Sequence, residues 1–386
     1  MLDIVLSIRG WLAMNTEKLT EYLDSLILRG IPSVDCMVYK NHECVYRHMA
    51  GYIDDKHTVA VSNDTQYLMF SMTKVQTMTA LMQLVEQGKI SLEDPVEKYL
   101  PAYKDLEVVD ANGKVTAANT MLIKHLASMQ SGLDYNLDRP GIKRVLEEKG
   151  MKATTQELVN SFVESPLNFQ PGTHFCYSLS HDVIAAVIEI VSGKSFGEYL
   201  KKNIWEPLGM TRTHFAKPYN DEAGLAQQYI MEGEEFVLME PTCNYQLSEC
   251  YESGGAGLAS CTEDYAKLAD TLACGGISSK GIRILNAESV EIIKKNLLGE
   301  ESLKEIETSM GRVGYGYGVG MQVLMDPDKI NSPAPKGVFG WDGAAGSCVT
   351  MDTGSNISLV YTMHVRNCGM AYGEIHPKLR DIVFGE

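Results

Sequence analysis

The chain of 386 residues has no run approaching the roughly 18 apolar residues of a membrane-spanning helix, and no block of basic residues. It also lacks C-x-x-C pairs, H-E-x-x-H spacing, internal repeats and low-complexity tracts. The first absence argues against a helical membrane span. The second, together with a formal net charge of −16, argues against nucleic acid or an anionic membrane surface as partner. Nine cysteines, an odd number scattered from Cys36 to Cys368, do not form a disulfide framework or a structural zinc site by spacing. A reducing, cytoplasmic location is therefore expected. The nine histidines are equally dispersed, so no metal and no cofactor is expected. Residues 1–13 are mildly apolar but interrupted by Asp3 and Arg9, with neither a basic start nor a small-residue cleavage site. They read as an extension ahead of Met14, not as a secretory leader. Nothing in the pattern speaks to oligomeric state.

What is present is a large apolar fraction, 45%, enough for one or two domains with a substantial core. One stretch stands out within it. From Val75 the apolar residues Met78, Leu81, Met82 and Val85 follow at helical spacing, and Gly88 supplies a stop. Between Asp64 and Glu86, Lys74 alone carries charge near neutral pH. A lone ammonium in so apolar a helix is costly unless it has a partner or a chemical role. Ser71 stands three residues earlier, on the same face of a helix. The pair reads S-x-x-K, a hydroxyl nucleophile beside an amine. Taken alone, the same pattern also suits a helix cap beside a snorkelling lysine.

Around it the spacing predicts an amphipathic helix over 16–29 and strands over 33–39 and 44–51. Helices are expected over 121–129, 155–164, 181–192, 196–204, 262–274 and 287–296, and a closing one over 376–383. Residues 314–323, 346–350 and 357–364 alternate as antiparallel strands do. Strands at both ends with helices between them predict a split α/β domain, 1–90 plus 311–386, around a helical insert at 91–310. Two further segments bear on chemistry. Pro171-Gly172 leads to Tyr177 at the mouth of the helix expected from His181. The small residues of Gly340-Trp341-Asp342-Gly343-Ala344-Ala345-Gly346-Ser347 suit either a tight sheet turn or a backbone anion site.

Taken in order, Ser71-Met72-Thr73-Lys74, a tyrosine about a hundred residues on and a glycine-rich segment near the C-terminus resemble the serine β-lactamase and penicillin-binding-protein superfamily. Within it the chain is most similar to the class C-like branch, and there to family VIII carboxylesterases. Residues 125–133 (His125 to Leu133), 207–210 (Pro207 to Met210) and 253–260 (Ser253 to Ser260) match further landmarks in family order, so the resemblance spans residues 30–365. It implies a β-lactamase-like fold, an antiparallel sheet flanked by helices with an all-helical insert. It also implies acyl transfer through Ser71, with Lys74 and Tyr177 as one coupled acid–base unit. Which of the two takes the Ser71 proton stays open from the residues; the resemblance points to Tyr177. The implied oxyanion donors are the backbone N–H groups of Ser71 and Ala344, and no cofactor is needed.

Departures from the family pattern bear on substrate. Where β-lactamases and peptidases place a Lys or His that binds a carboxylate, Trp341 stands, followed by Asp342, which is expected to repel an anion. Leu179 stands where the class C pattern has an asparagine that bonds a substrate amide. Trp341, Gly343, Tyr135 and Leu179 are thus the expected substrate-binding residues, and a small uncharged ester the expected partner. The alternatives are a β-lactamase or D-amino-acid peptidase, an acyltransferase using the same acyl-enzyme, and a non-catalytic binder.

Overall fold

The computed structural model describes residues 15–110, 112–217, 224–240 and 242–385. The extension read over residues 1–13, and Met14, lie outside the described residues. Helix α1, Thr16–Leu28, opens behind an Asn15 cap and buries Leu19, Leu23 and Leu26, three positions on one helical face. Strands β1 (Ser33–Lys40) and β2 (Glu43–Gly51) follow as a hairpin. Near the C-terminus come β3 (Tyr315–Tyr317), β4 (Gln322–Leu324), β5 (Phe339–Asp342), β6 (Cys348–Asp352) and β7 (Ile357–Thr362). All seven join in one antiparallel sheet of order β3-β4-β5-β6-β7-β1-β2. The two ends of the chain meet where β7 pairs with β1, Asp35 opposite Thr362.

This sheet is covered on both faces, which alternating side chains make possible. On β1, Val34, Cys36 and Val38 pack with α1 and the closing helix, His376–Phe384, while Met37 on the other face joins the main core. Between β2 and β3 the chain carries α2 (Thr73–Glu86), α3 (Ser180–Ser192) and α4 (Thr262–Ala273) among shorter helices. Helix α4 falls within the span expected to be the insert, yet it lies against β1, β6 and β7. That span also holds short hairpins at 107–117 and 228–239, so it is not purely helical. Helices Pro140–Lys149 and Glu300–Met310 add to those expected. Among the described residues no helix is long and apolar enough to cross a membrane.

Candidate active site

Ser71 does not open the buried helix directly. It sits in a single 3-10 turn, Phe70–Met72, from which α2 continues at Thr73. Phe70 has φ = 44°, a left-handed conformation costly for an aromatic residue. The surroundings hold it there: Met69 N–H donates to the Leu258 carbonyl at 2.8 Å, and Tyr265 Oη donates to the Met72 carbonyl at 2.6 Å. The turn leaves Ser71 partly accessible at the end of a helix in which every residue from Thr73 to Leu84 is buried.

Lys74 is fully buried. Its Nζ donates to Ser71 Oγ at 3.1 Å, to Tyr135 Oη at 2.8 Å and to the Gly255 carbonyl at 2.6 Å, which uses all three N–H bonds of an ammonium. Burial pulls its pKa from the ordinary lysine value down to about 7, against the opposing pull of Asp182 and Asp342. Near neutral pH this amine exists in both protonation states and is suited to take or return a proton. Tyr135, expected among the substrate-binding residues, is thus a direct partner of the lysine. The sequence signal for it was its place two residues after the landmark 125–133 (His125 to Leu133), which by itself does not reveal the bond.

Tyr177 lies just ahead of α3. Its ring faces Lys74, with Nζ 4.7 Å from the ring centre, so lysine and tyrosine meet through the π face and through Ser71 between them. Burial pushes the Tyr177 phenol up, while hydrogen bonding to Ser71 and Trp341 draws it down. The Trp341 indole N–H donates to Tyr177 Oη at 2.9 Å. Trp341 is 1% exposed, and its ring packs against those of Tyr177 and Tyr317. Leu179 is likewise buried, at 2% exposure, in the core beside α3.

At the end of β5, Gly343 is held against the turn that carries Ser71. A Cβ there would come within 2.4 Å of the Met69 carbonyl, so only glycine permits this approach. The Gly343 N–H donates to Ser347 O at 2.8 Å, Gly346 N–H to Gly343 O at 2.9 Å, and Tyr372 Oη to Gly343 O at 2.9 Å. These bonds close a turn in which the Ala344 N–H takes no part among the described residues. Asp342 does not present the anion-repelling charge expected of it. It pairs with the Arg312 guanidinium, which also lies 5.5 Å from the Trp341 ring. Arg312 stands between a helix and β3 and carried no sequence motif that would have flagged it.

Tyr245 completes an aromatic wall, its ring 5.4 Å from Tyr135 and 6.3 Å from Phe70. Among the described residues two groups of side chains have the composition of metal ligands, His42 with Asp270 and Cys274, and His174 with Glu301 and Glu305. Neither includes Ser71, Lys74 or Tyr177. A serine hydroxyl bonded to a poised amine, a phenol beside both and, among the described residues, a backbone N–H at Ala344 without a protein acceptor form an arrangement suited to acyl transfer.

The family model described as Beta-lactamase matches residues 18–371. Protein Rv1367c of Mycobacterium tuberculosis is 27% identical, with 90% of this chain and 88% of that protein covered. Esterase EstB of Burkholderia gladioli is 26% identical, with 92% and 91% covered. Among solved structures, EstCE1, described as a hydrolase with promiscuous acyltransferase activity, superposes with a TM-score of 0.78 at 26% identity, covering 96% of this chain and 98% of its own.

Proposed function

The chain belongs to the Beta-lactamase family, and from that premise we propose that it is a serine hydrolase acting on uncharged esters of short to medium acyl groups through an acyl-enzyme on Ser71. The observation that carries the reading is the 3.1 Å contact between Lys74 Nζ and Ser71 Oγ inside a buried, aromatic-walled site. In the scheme, Ser71 Oγ attacks the ester carbonyl carbon and passes its proton to the Lys74–Tyr177 pair. The carbonyl oxygen becomes an oxyanion held by the Ser71 and Ala344 N–H groups, each such donor being worth about 3–4 kcal/mol in comparable enzymes. The C–O bond to the alcohol breaks, and the departing alkoxide takes the proton back. Water then repeats the sequence on the acyl-enzyme and releases the acid.

Ester rather than β-lactam or peptide is favoured by the third segment. Trp341 occupies the place of a carboxylate-binding cation and spends its N–H on Tyr177. The Asp342–Arg312 pair leaves the guanidinium engaged with protein. EstB carries the name esterase, in keeping with this choice. The description of EstCE1 favours a second reading, in which an alcohol or amine acceptor replaces water.

Intact-mass trapping across a panel of esters, amides and β-lactams tests both. The expected result is an acyl adduct from esters that is absent in Ser71→Ala, and faster turnover of p-nitrophenyl butyrate than of a chromogenic cephalosporin. The reverse ranking would overturn the ester assignment, and an acylated acceptor among the products would establish the second reading.

A further inference from the structure

Asp182 takes no part in the scheme above, yet it is 1% exposed in the first turn of α3 and acts electrostatically on Lys74. Its Oδ1 accepts from Tyr251 Oη at 2.7 Å, Ser253 Oγ at 2.6 Å and the Gly255 N–H at 3.4 Å. Three donors converging on one oxygen is what a carboxylate, not a carboxylic acid, collects. Its Oδ2 is buried without a hydrogen-bond partner. A Cβ placed on Gly255 would lie 2.7 Å from this Oδ2 and 3.0 Å from Tyr135 Oη, so the glycine leaves the carboxylate and the Lys74–Tyr135 pair facing one another across a gap too small for a side chain. The same residue joins them through its backbone: the Gly255 N–H goes to Asp182 and its carbonyl accepts from Lys74 at 2.6 Å.

A buried carboxylate with one unpaired oxygen is expensive, and removing it would relieve that cost if it had no role. We propose that Asp182 is the buried counter-charge of Lys74, a positioning residue that acts through Gly255 and is required for proton transfer at Ser71 without touching substrate. The proposal rests on the acyl-transfer reading of Ser71 given above.

The surrounding groups leave Asp182 and Lys74 as the pair that exchanges charge. Tyr251 and Tyr103 face Asp182, and burial holds both phenols far above their usual range. Tyr135 is held up in the same way, and burial holds His181, the neighbour of Asp182 on α3, well below the usual histidine range. Asp342, the other acid acting on Lys74, is already balanced by Arg312. Burial raises Asp182 itself, and Ser253, Tyr251 and Lys74 oppose that rise.

The test compares wild type with Asp182→Asn and Tyr251→Phe in the full-length protein. Each is followed by kcat/KM for p-nitrophenyl butyrate from pH 5 to 10 and by the pH dependence of Ser71 labelling with a fluorophosphonate, beside a Tm for each variant. Asparagine keeps the acceptor oxygen and removes the charge, so the ammonium loses its support and Lys74 sheds its proton at lower pH. The limb governed by Lys74 moves down by at least about one pH unit in both readouts. Tyr251→Phe keeps the carboxylate but withdraws a donor, making the acid easier to protonate, and moves the same limb down by less. This second variant decides the matter if Asp182→Asn does not fold. Lower activity with neither limb displaced means a purely structural role and overturns the proposal. Failure of wild type to label at Ser71 would instead overturn the acyl-transfer reading on which it rests.

Discussion

Lys74 stands out at the candidate site because burial disfavours its charge. An ammonium on the surface would keep its proton to a pH near 10 and serve only as a cation. Buried among α2, Tyr135 and Gly255, it is drawn down to about 7, which on the proposed reading lets it exchange a proton with Ser71. Tyr177 is held in the opposite sense, as a neutral phenol whose oxygen receives the Trp341 N–H. On the proposed reading, replacing either partner removes half of the exchange. Lys74→Ala and Tyr177→Phe are each expected to reduce ester turnover at least about a hundredfold with Ser71 intact, measured as kcat under saturating substrate. Near-normal turnover in either would remove that residue from the proton path. The lysine was legible in the sequence, since a single charge in a long apolar helix is conspicuous. Its partner Tyr135 was not, because a bond between residues 61 apart leaves no local pattern.

At the level of elements, the site is a meeting of two chain turns, Phe70–Met72 and the turn after β5. Their approach is set by the absence of one side chain at Gly343. Gly343→Ala would press a methyl group onto the Met69 carbonyl and part the two turns, separating the N–H of Ala344 from that of Ser71. Activity is expected to fall by about 10²–10³, the loss seen when one oxyanion donor is removed. The thermal midpoint should change far less, and a Ser71 labelling rate equal to wild type would show the approach to be unimportant. Helices Pro140–Lys149 and Glu300–Met310 show why element prediction was incomplete. The first buries only Gly141, Ile142 and Val145 and opens on Pro-Gly, which reads as a turn. The second buries Ser302 and Ile306 on an otherwise charged surface, too thin a stripe to register as periodicity.

For the molecule as a whole, stability depends on groups buried in the joint between chain ends and insert. His364, which follows β7, is 2% exposed, with Nδ1 2.8 Å from the Ala226 carbonyl and Nε2 3.2 Å from Gln228 Nε2. Burial lowers its pKa to about 4. Above its ordinary value of about 6.5 it is neutral in both folded and unfolded chains, and its contribution is constant. As pH falls from there to about 4, the unfolded chain takes up the proton and the folded one does not, so stability is lost across that window, by roughly 3 kcal/mol in full. Urea midpoints should therefore fall between pH 7 and pH 4.5, and His364→Gln should show a shallower decline. An equal decline in the variant would place the acid sensitivity elsewhere.

By itself the sequence determined the class of sheet, the buried helix of Lys74 and the order of the three segments at the site. The first two rest on local periodicity and on charge conspicuous among apolar neighbours, and the third on the resemblance to a known family, all readable along the chain. Only the tertiary structure decided that Tyr135 bonds Lys74, that Trp341 donates to Tyr177, that Arg312 neutralises Asp342 and that α4 lies on the sheet. Each of these depends on which distant residues share a low-dielectric interior, and that is set by packing across the whole chain rather than by any neighbouring residue.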